Sequence, residues 1–167
     1  MANNNSSNTS LSIGTNREIN KPQQTAFLAY QSVTQDNKTG NGAWYQLVCD
    51  TEIFDHGSNY NNTTGVFTAP VTGRYVFISR VCISGCSTTT GLLASVYNTT
   101  SGKRYQAGYY RTASNYNGNP ETCAIVELTA GDTVIAEANA TGETANTVDI
   151  FSSGTTPFTS FGGYLAT

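Results

Sequence analysis

The sequence is short of charge. Only 11% of its 167 residues are Asp, Glu, Lys or Arg, against roughly a quarter in an average globular chain. The eight basic residues are scattered and the net charge is −3, so the chain lacks the clustered basic footprint that a nucleic-acid partner requires. It also lacks any apolar run of about 18 residues, which excludes a membrane-spanning helix and leaves no expectation of membrane insertion. The first twenty residues do not show the charged-then-apolar pattern of a secretory signal. Either the protein is released by another route or a signal has been replaced at the start.

Catalytic groups are equally scarce. The single histidine, His56, stands between Asp55 and Gly57, where a solvated loop residue is the default. Nucleophilic catalysis needs a base beside its Ser, Cys or Thr and a third group to orient that base, and no such set is readable. No glycine-rich phosphate loop opens a helix, and nothing in the sequence pairs the eleven acids for hydrolysis. The expectation is a protein that is not an enzyme. Four cysteines, Cys49, Cys82, Cys86 and Cys123, permit three disulfide connectivities or none. Buried free thiols and a Cys82–Cys86 bridge across Gly85 both remain open. With no Cys-x-x-Cys pair and one histidine, a zinc site is not expected.

What the chain has instead is 26 Thr, 17 Asn and 15 Ser. Thr suits a pleated strand surface, and Asn and Ser suit turns, because their side chains compete for nearby backbone groups. Residues 1–21 offer little to bury and read as a flexible or stalk-like arm. From Pro22 to residue 167 short apolar or alternating runs recur between Gly, Asn, Asp and Pro clusters, the signature of a single all-β domain. Strands are expected at Ala26–Ser32, Trp44–Cys49, Gly65–Thr68, Gly73–Ile83, Leu92–Asn98, Arg104–Arg111, Glu121–Leu128, Thr133–Ala138 and Phe158–Ala166. In the run from Arg74 to Val81 both alternating faces are largely apolar, which predicts a central strand covered on both sides. Pro70 and Gly73 are read as its preceding turn, with Gly73 tolerating positive φ, and Ala130-Gly131-Asp132 as a tight hairpin.

Between Asp55 and Phe77 the spacing becomes specific: Asp55, then Tyr60, Phe67 and Gly73-Arg74-Tyr75-Val76-Phe77 fall at fixed intervals. This stretch resembles the signature of the complement C1q and tumour necrosis factor-like globular domain. Cys49 and Ser79 depart from it, since both stand where the family carries an aromatic residue. Further likenesses follow in the family's order: Ala26-Phe27, then Ile125 to Leu128 leading into Gly131-Asp132, and Phe161, Gly163 and Tyr164 at the end. The resemblance spans about residues 24–167. It implies a ten-stranded jelly-roll β-sandwich that assembles as a homotrimer, with the signature residues packing the core.

The missing signal pattern, the Asn/Ser-rich arm leading straight into the domain and the low charge together point to recognition through loops on a rigid scaffold, by a surface adhesin or receptor-binding head on a virion, spore or cell surface. The ligand would be a cell-surface glycan or protein. Trp44, Tyr60 and Tyr116, in or beside polar loops, are the candidate ligand-contacting aromatics. A secreted C1q-like or cytokine-like ligand and a purely structural trimerisation module are the alternatives. No cofactor is expected. Some family members hold calcium, and Asp55, Asp132 and Glu143 are oxygen donors of the right kind, but no acidic cluster marks a site.

Overall fold

The alternating Thr-rich runs form antiparallel strands in the computed structural model, which describes residues 11–13, 16–17, 19–21, 23–110 and 117–167. In chain order these are β1 (Ser12–Ile13), β2 (Ile19–Asn20), β3 (Ala26–Tyr30), β4 (Gln35–Thr39), β5 (Trp44–Gln46), β6 (Thr51–His56), β7 (Tyr60–Asn61) and β8 (Val66–Thr68), followed by β9 (Gly73–Arg80), β10 (Ile83–Ser84), β11 (Gly91–Asn98), β12 (Lys103–Tyr110), β13 (Glu121–Leu128), β14 (Thr133–Thr141), β15 (Val148–Ile150) and β16 (Ser160–Leu165). Two large sheets face each other. One runs β13-β9-β16-β3-β6; the other runs β12-β11-β14-β8-β7, with β5 also pairing with β14. A three-stranded ribbon, β10-β15-β4, and the β1-β2 pair complete the described topology. The architecture is the expected all-β jelly-roll sandwich. The strands outnumber ten because turns divide β7 from β8 and β9 from β10, and because the arm contributes β1 and β2.

An aromatic cluster fills the space between the large sheets. Phe27 stacks on Tyr60 at 4.8 Å and on Phe67 at 5.1 Å, and meets Phe161 edge-on at 5.1 Å. Phe77 approaches Phe67 at 5.2 Å and Phe161 at 5.8 Å. These rings and Tyr75 are almost wholly buried, so each contributes both apolar burial and about 0.5–1.5 kcal/mol per favourable ring pair. Glycine makes the layer possible. A Cβ on Gly163 would lie 2.5 Å from the Phe77 ring, and one on Gly73 would lie 2.6 Å from the Thr167 carbonyl oxygen.

Several local expectations change. Gly73 is the first residue of β9 and is required by close approach, not by positive φ. The Ala130–Asp132 turn is no hairpin: β13 pairs with β9 in one sheet and β14 with β11 in the other, so this turn carries the chain between layers. The strand expected to run to Ile83 is interrupted after Arg80. β9 is central within its sheet, between β13 and β16, yet its second face is uncovered in the single chain, with Ile78 44% exposed. Strands β4 and β6 lie outside the runs that the sequence pattern predicts. β4, Gln-Asp-Asn-Lys-Thr, has no apolar alternation and is held by pairing with β15. In β6 a bulge opposite Leu28 and Ala29 breaks the alternation, leaving Glu52, Ile53 and Phe54 all exposed.

Candidate functional site

The signature residues turn out to be structural. The Asp55 carboxylate accepts hydrogen bonds from the backbone N–H of Asn59 (3.3 Å) and Tyr60 (3.0 Å), closing the turn through Gly57 and Ser58, both at positive φ. The Tyr60 hydroxyl donates to the Cys49 carbonyl and accepts from the Cys49 N–H, each at 3.1 Å. A phenol at position 60 thus holds the β5–β6 connection where the family's first aromatic is replaced by Cys49. Asp132 accepts from the Thr129 N–H at 2.9 Å, and Gly131, at φ 93°, donates its N–H to the Ala69 carbonyl.

The turn that Asp55 closes forms one wall of a cleft of about 880 Å³, lined by residues 58–64 with Val66, Thr68 and Pro70. No lining residue carries a charge. Asn61 spends its side-chain oxygen on the Thr63 and Thr64 N–H groups, and Gln46 on β5 donates to the Thr64 carbonyl at 2.7 Å. The hydroxyls of Ser58, Thr63, Thr64 and Thr68 and the Asn62 amide line the rest, and Pro70 and Val66 give it apolar ground. Tyr60 stands in this wall but is only 4% exposed, so it supports the cleft from within the core.

Trp44 lies elsewhere on the same sheet, half-buried on β5. Its ring and that of Tyr97 receive the Arg104 guanidinium, at 4.6 and 4.3 Å from their centroids. Arg104 in turn donates to Glu137 through Nε (2.7 Å) and a terminal nitrogen (3.2 Å), and Ser95 donates to the same carboxylate. The hydrogen bond to Glu137 raises the Arg104 pKa. Arg104 thereby occupies a face of Trp44, a long-range pairing that sequence spacing does not reveal. Tyr116 lies outside the described residues. Of the candidate aromatics, Trp44 and Tyr60 stand apart, one against Arg104 and the other inside the core.

The outward face of the five-stranded sheet carries the apolar surface. Register places His56, Ala26, Tyr164, Val76 and Ile125 in one row across it, and Phe54, Leu28, Gly162, Ile78 and Cys123 in the next. Ile125 is 69% exposed and Tyr164 47%. A groove of about 220 Å³ runs between Leu28, Phe54, Val76, Ile78 and Tyr164. Charged pairs flank the rows on β9 and β13: Arg80 with Glu121 at 3.4 Å beyond the Ile78 row, and Arg74 opposite Glu127 beyond the Val76 row. Composition does not reveal this face, because it emerges only once five strands are in register.

The four cysteines are free thiols, with Cys49 and Cys86 buried and Cys123 exposed. Burial pushes the Cys49 thiol up to about 12. Glu143 accepts from the Ser87 and Thr88 N–H groups and from the hydroxyls of Ser87, Thr88 and Thr89. Burial pushes its pKa up, but these bonds outweigh that and hold the carboxyl well below its usual range. The three acids considered for calcium thus each accept protein hydrogen bonds. Among the described residues no three acidic, histidine or cysteine side chains converge, and no helix is long and apolar enough to cross a membrane.

Comparison with curated proteins gives no match. Among solved structures the chain is similar to the globular domain of zebrafish complement 1qA, at 19% identity and a TM-score of 0.58, covering 86% of this chain and 98% of that one. It is also similar to murine APRIL, at 14% identity and a TM-score of 0.51 in a structure at pH 8.5, covering 85% and 98%. The C1q domain description matches residues 26–166, nearly the whole span over which aromatic spacing, core packing and sheet order agree, and the chain belongs to the C1q domain family.

Proposed function

We propose that this protein is a non-enzymatic, homotrimeric recognition head, displayed on a microbial or viral surface, whose loops bind a cell-surface glycan or protein. The observation that carries the trimer is the uncovered apolar face of the five-stranded sheet. Two adjacent apolar rows bounded by charged pairs have the layout of a protein interface, an apolar centre inside a polar rim, and C1q and tumour necrosis factor domains form homotrimers and bind ligands. The cleft at residues 58–70 is the ligand site this reading favours. Its uncharged hydroxyl and amide lining suits a neutral saccharide, and it sits on loops that a rigid sandwich holds in place.

A glycan array probed with the intact protein tests the ligand. Binding to a subset of neutral saccharides, lost in the double variant Asn62→Ala/Thr63→Ala but retained in Trp44→Phe, supports the cleft. Silence across the array removes the glycan reading, and equal binding by the cleft variant moves the site elsewhere.

A further inference from the structure

The described part of the arm is amphipathic in a way its composition conceals. Ile13 and Ile19 are direct cross-strand partners in the β1-β2 pair, so their side chains share one face, and Leu11, two residues before Ile13, falls on that face by alternation. Ser12 alternates to the other side. The three apolar side chains are 55% (Leu11), 72% (Ile13) and 66% (Ile19) exposed, uncovered by the described residues. A two-stranded ribbon is marginal in water unless its apolar side packs against something.

The root of this ribbon is fixed. The Gln24 N–H donates to the Lys21 carbonyl, the Gln24 side chain donates to the Leu165 carbonyl, and the Leu165 N–H donates to the Thr25 carbonyl. These bonds hold the arm to the end of β16, beside Tyr164 in the first apolar row, next to a small recess lined by Lys21, Gln24, Leu165, Ala166 and Thr167. From Asn20 to Ala26 the chain reaches at most about 20 Å. The ribbon is therefore tethered close to one end of the apolar sheet face.

We propose that the Leu11–Ile13–Ile19 face packs on a second copy of this chain, forming a collar at the end of the trimer interface; this rests on the trimer proposed above. Three copies joined through the five-stranded face would bring three tethered roots around one axis. At that local concentration each ribbon meets its neighbours without any further partner, and the collar extends the apolar rows beyond Ala26 and Tyr164.

The test compares the full chain with the double variant Ile13→Asp/Ile19→Asp and with a chain beginning at Lys21. Trimer dissociation is followed by sedimentation equilibrium, and β-sheet circular dichroism checks that each sandwich is folded. The expected result is a folded protein in both cases, with trimer dissociation shifted to concentrations at least about tenfold higher. A variant that dissociates like the full chain overturns the collar and leaves the trimer standing. A full chain that is itself monomeric at micromolar concentration overturns the trimer and the collar together. Binding of the full chain to phosphatidylserine vesicles, lost in the double variant while the trimer is unchanged, assigns the face to a membrane surface and also overturns the collar.

Discussion

At the scale of single residues, Tyr60 and Cys49 are joined twice in the core. Both backbone groups of Cys49 are satisfied by one phenol, in a site that burial makes hostile to charge. Burial raises the Cys49 thiol from its ordinary value of 9.0 to about 12 and raises the Tyr60 phenol from 10.0 as well. Because the folded values lie above the unfolded ones, the folded state holds these protons more tightly. The stabilisation is complete below pH 9 and falls as pH rises from there towards 12, by about 1.4 kcal/mol per pH unit for each group titrating only in the unfolded chain. Urea unfolding between pH 7 and 11 should therefore show a flat stability that declines above pH 9. Tyr60→Phe should lower stability at pH 7 by about 1–3 kcal/mol, since it strands the buried Cys49 N–H and carbonyl, and should make the alkaline decline shallower. An unchanged pH 7 midpoint would show that the phenol is not needed there.

At the scale of elements, β9, β13, β16 and β3 each give one face to the core and one to the apolar rows. The inner face was legible in the sequence: Tyr75, Phe77 and Phe161 alternate correctly, and the spacing from Asp55 to Phe77 identifies a fold that the structure bears out. The outer face was only half legible. Val76 and Ile78 read correctly as apolar, but what lies beside them depends on the register that sets Ile125 next to Val76 and Cys123 next to Ile78. No local pattern encodes that register. For the same reason no local pattern encodes the β10-β15-β4 ribbon or the Arg104–Glu137 pair, which spans 33 positions. Tyr60 and Trp44 have partners that local spacing does not show: the core takes the Tyr60 ring, and the Arg104 guanidinium lies on that of Trp44. If the outer face is the trimer interface, the double variant Ile78→Lys/Ile125→Lys places two ammonium groups in its centre, where unpaired charge costs several kcal/mol. Both side chains point away from the core, so the sandwich should stay folded. Sedimentation should give a monomeric mass with unchanged circular dichroism, and a trimer that tolerates both lysines would place the interface elsewhere.

At the scale of the whole molecule, the small number of charges, the open apolar face and the shallow neutral cleft fit one physical design. A cleft without a charged group or an exposed aromatic ring gives a weak site, because hydroxyl and amide hydrogen bonds made in competition with water each contribute only about 0.5–1.5 kcal/mol net. Useful affinity then comes from number. In the proposed trimer, three copies on one rigid body would convert the second and third contacts into intramolecular ones, a gain in apparent affinity of about 10²–10⁴ when the ligands are spaced to match. The assembly-deficient lysine variant isolates this term, since Ile78 and Ile125 lie outside the cleft lining. On a surface densely coated with a glycan recognised in the array, the trimer should bind at least about a hundredfold more tightly than the monomeric variant. In solution against a single free copy of that glycan, the two should bind alike per site. Equal binding on the coated surface would mean that the sites do not cooperate, and weaker binding by the variant to the free glycan would mean that the site is built partly from a neighbouring copy.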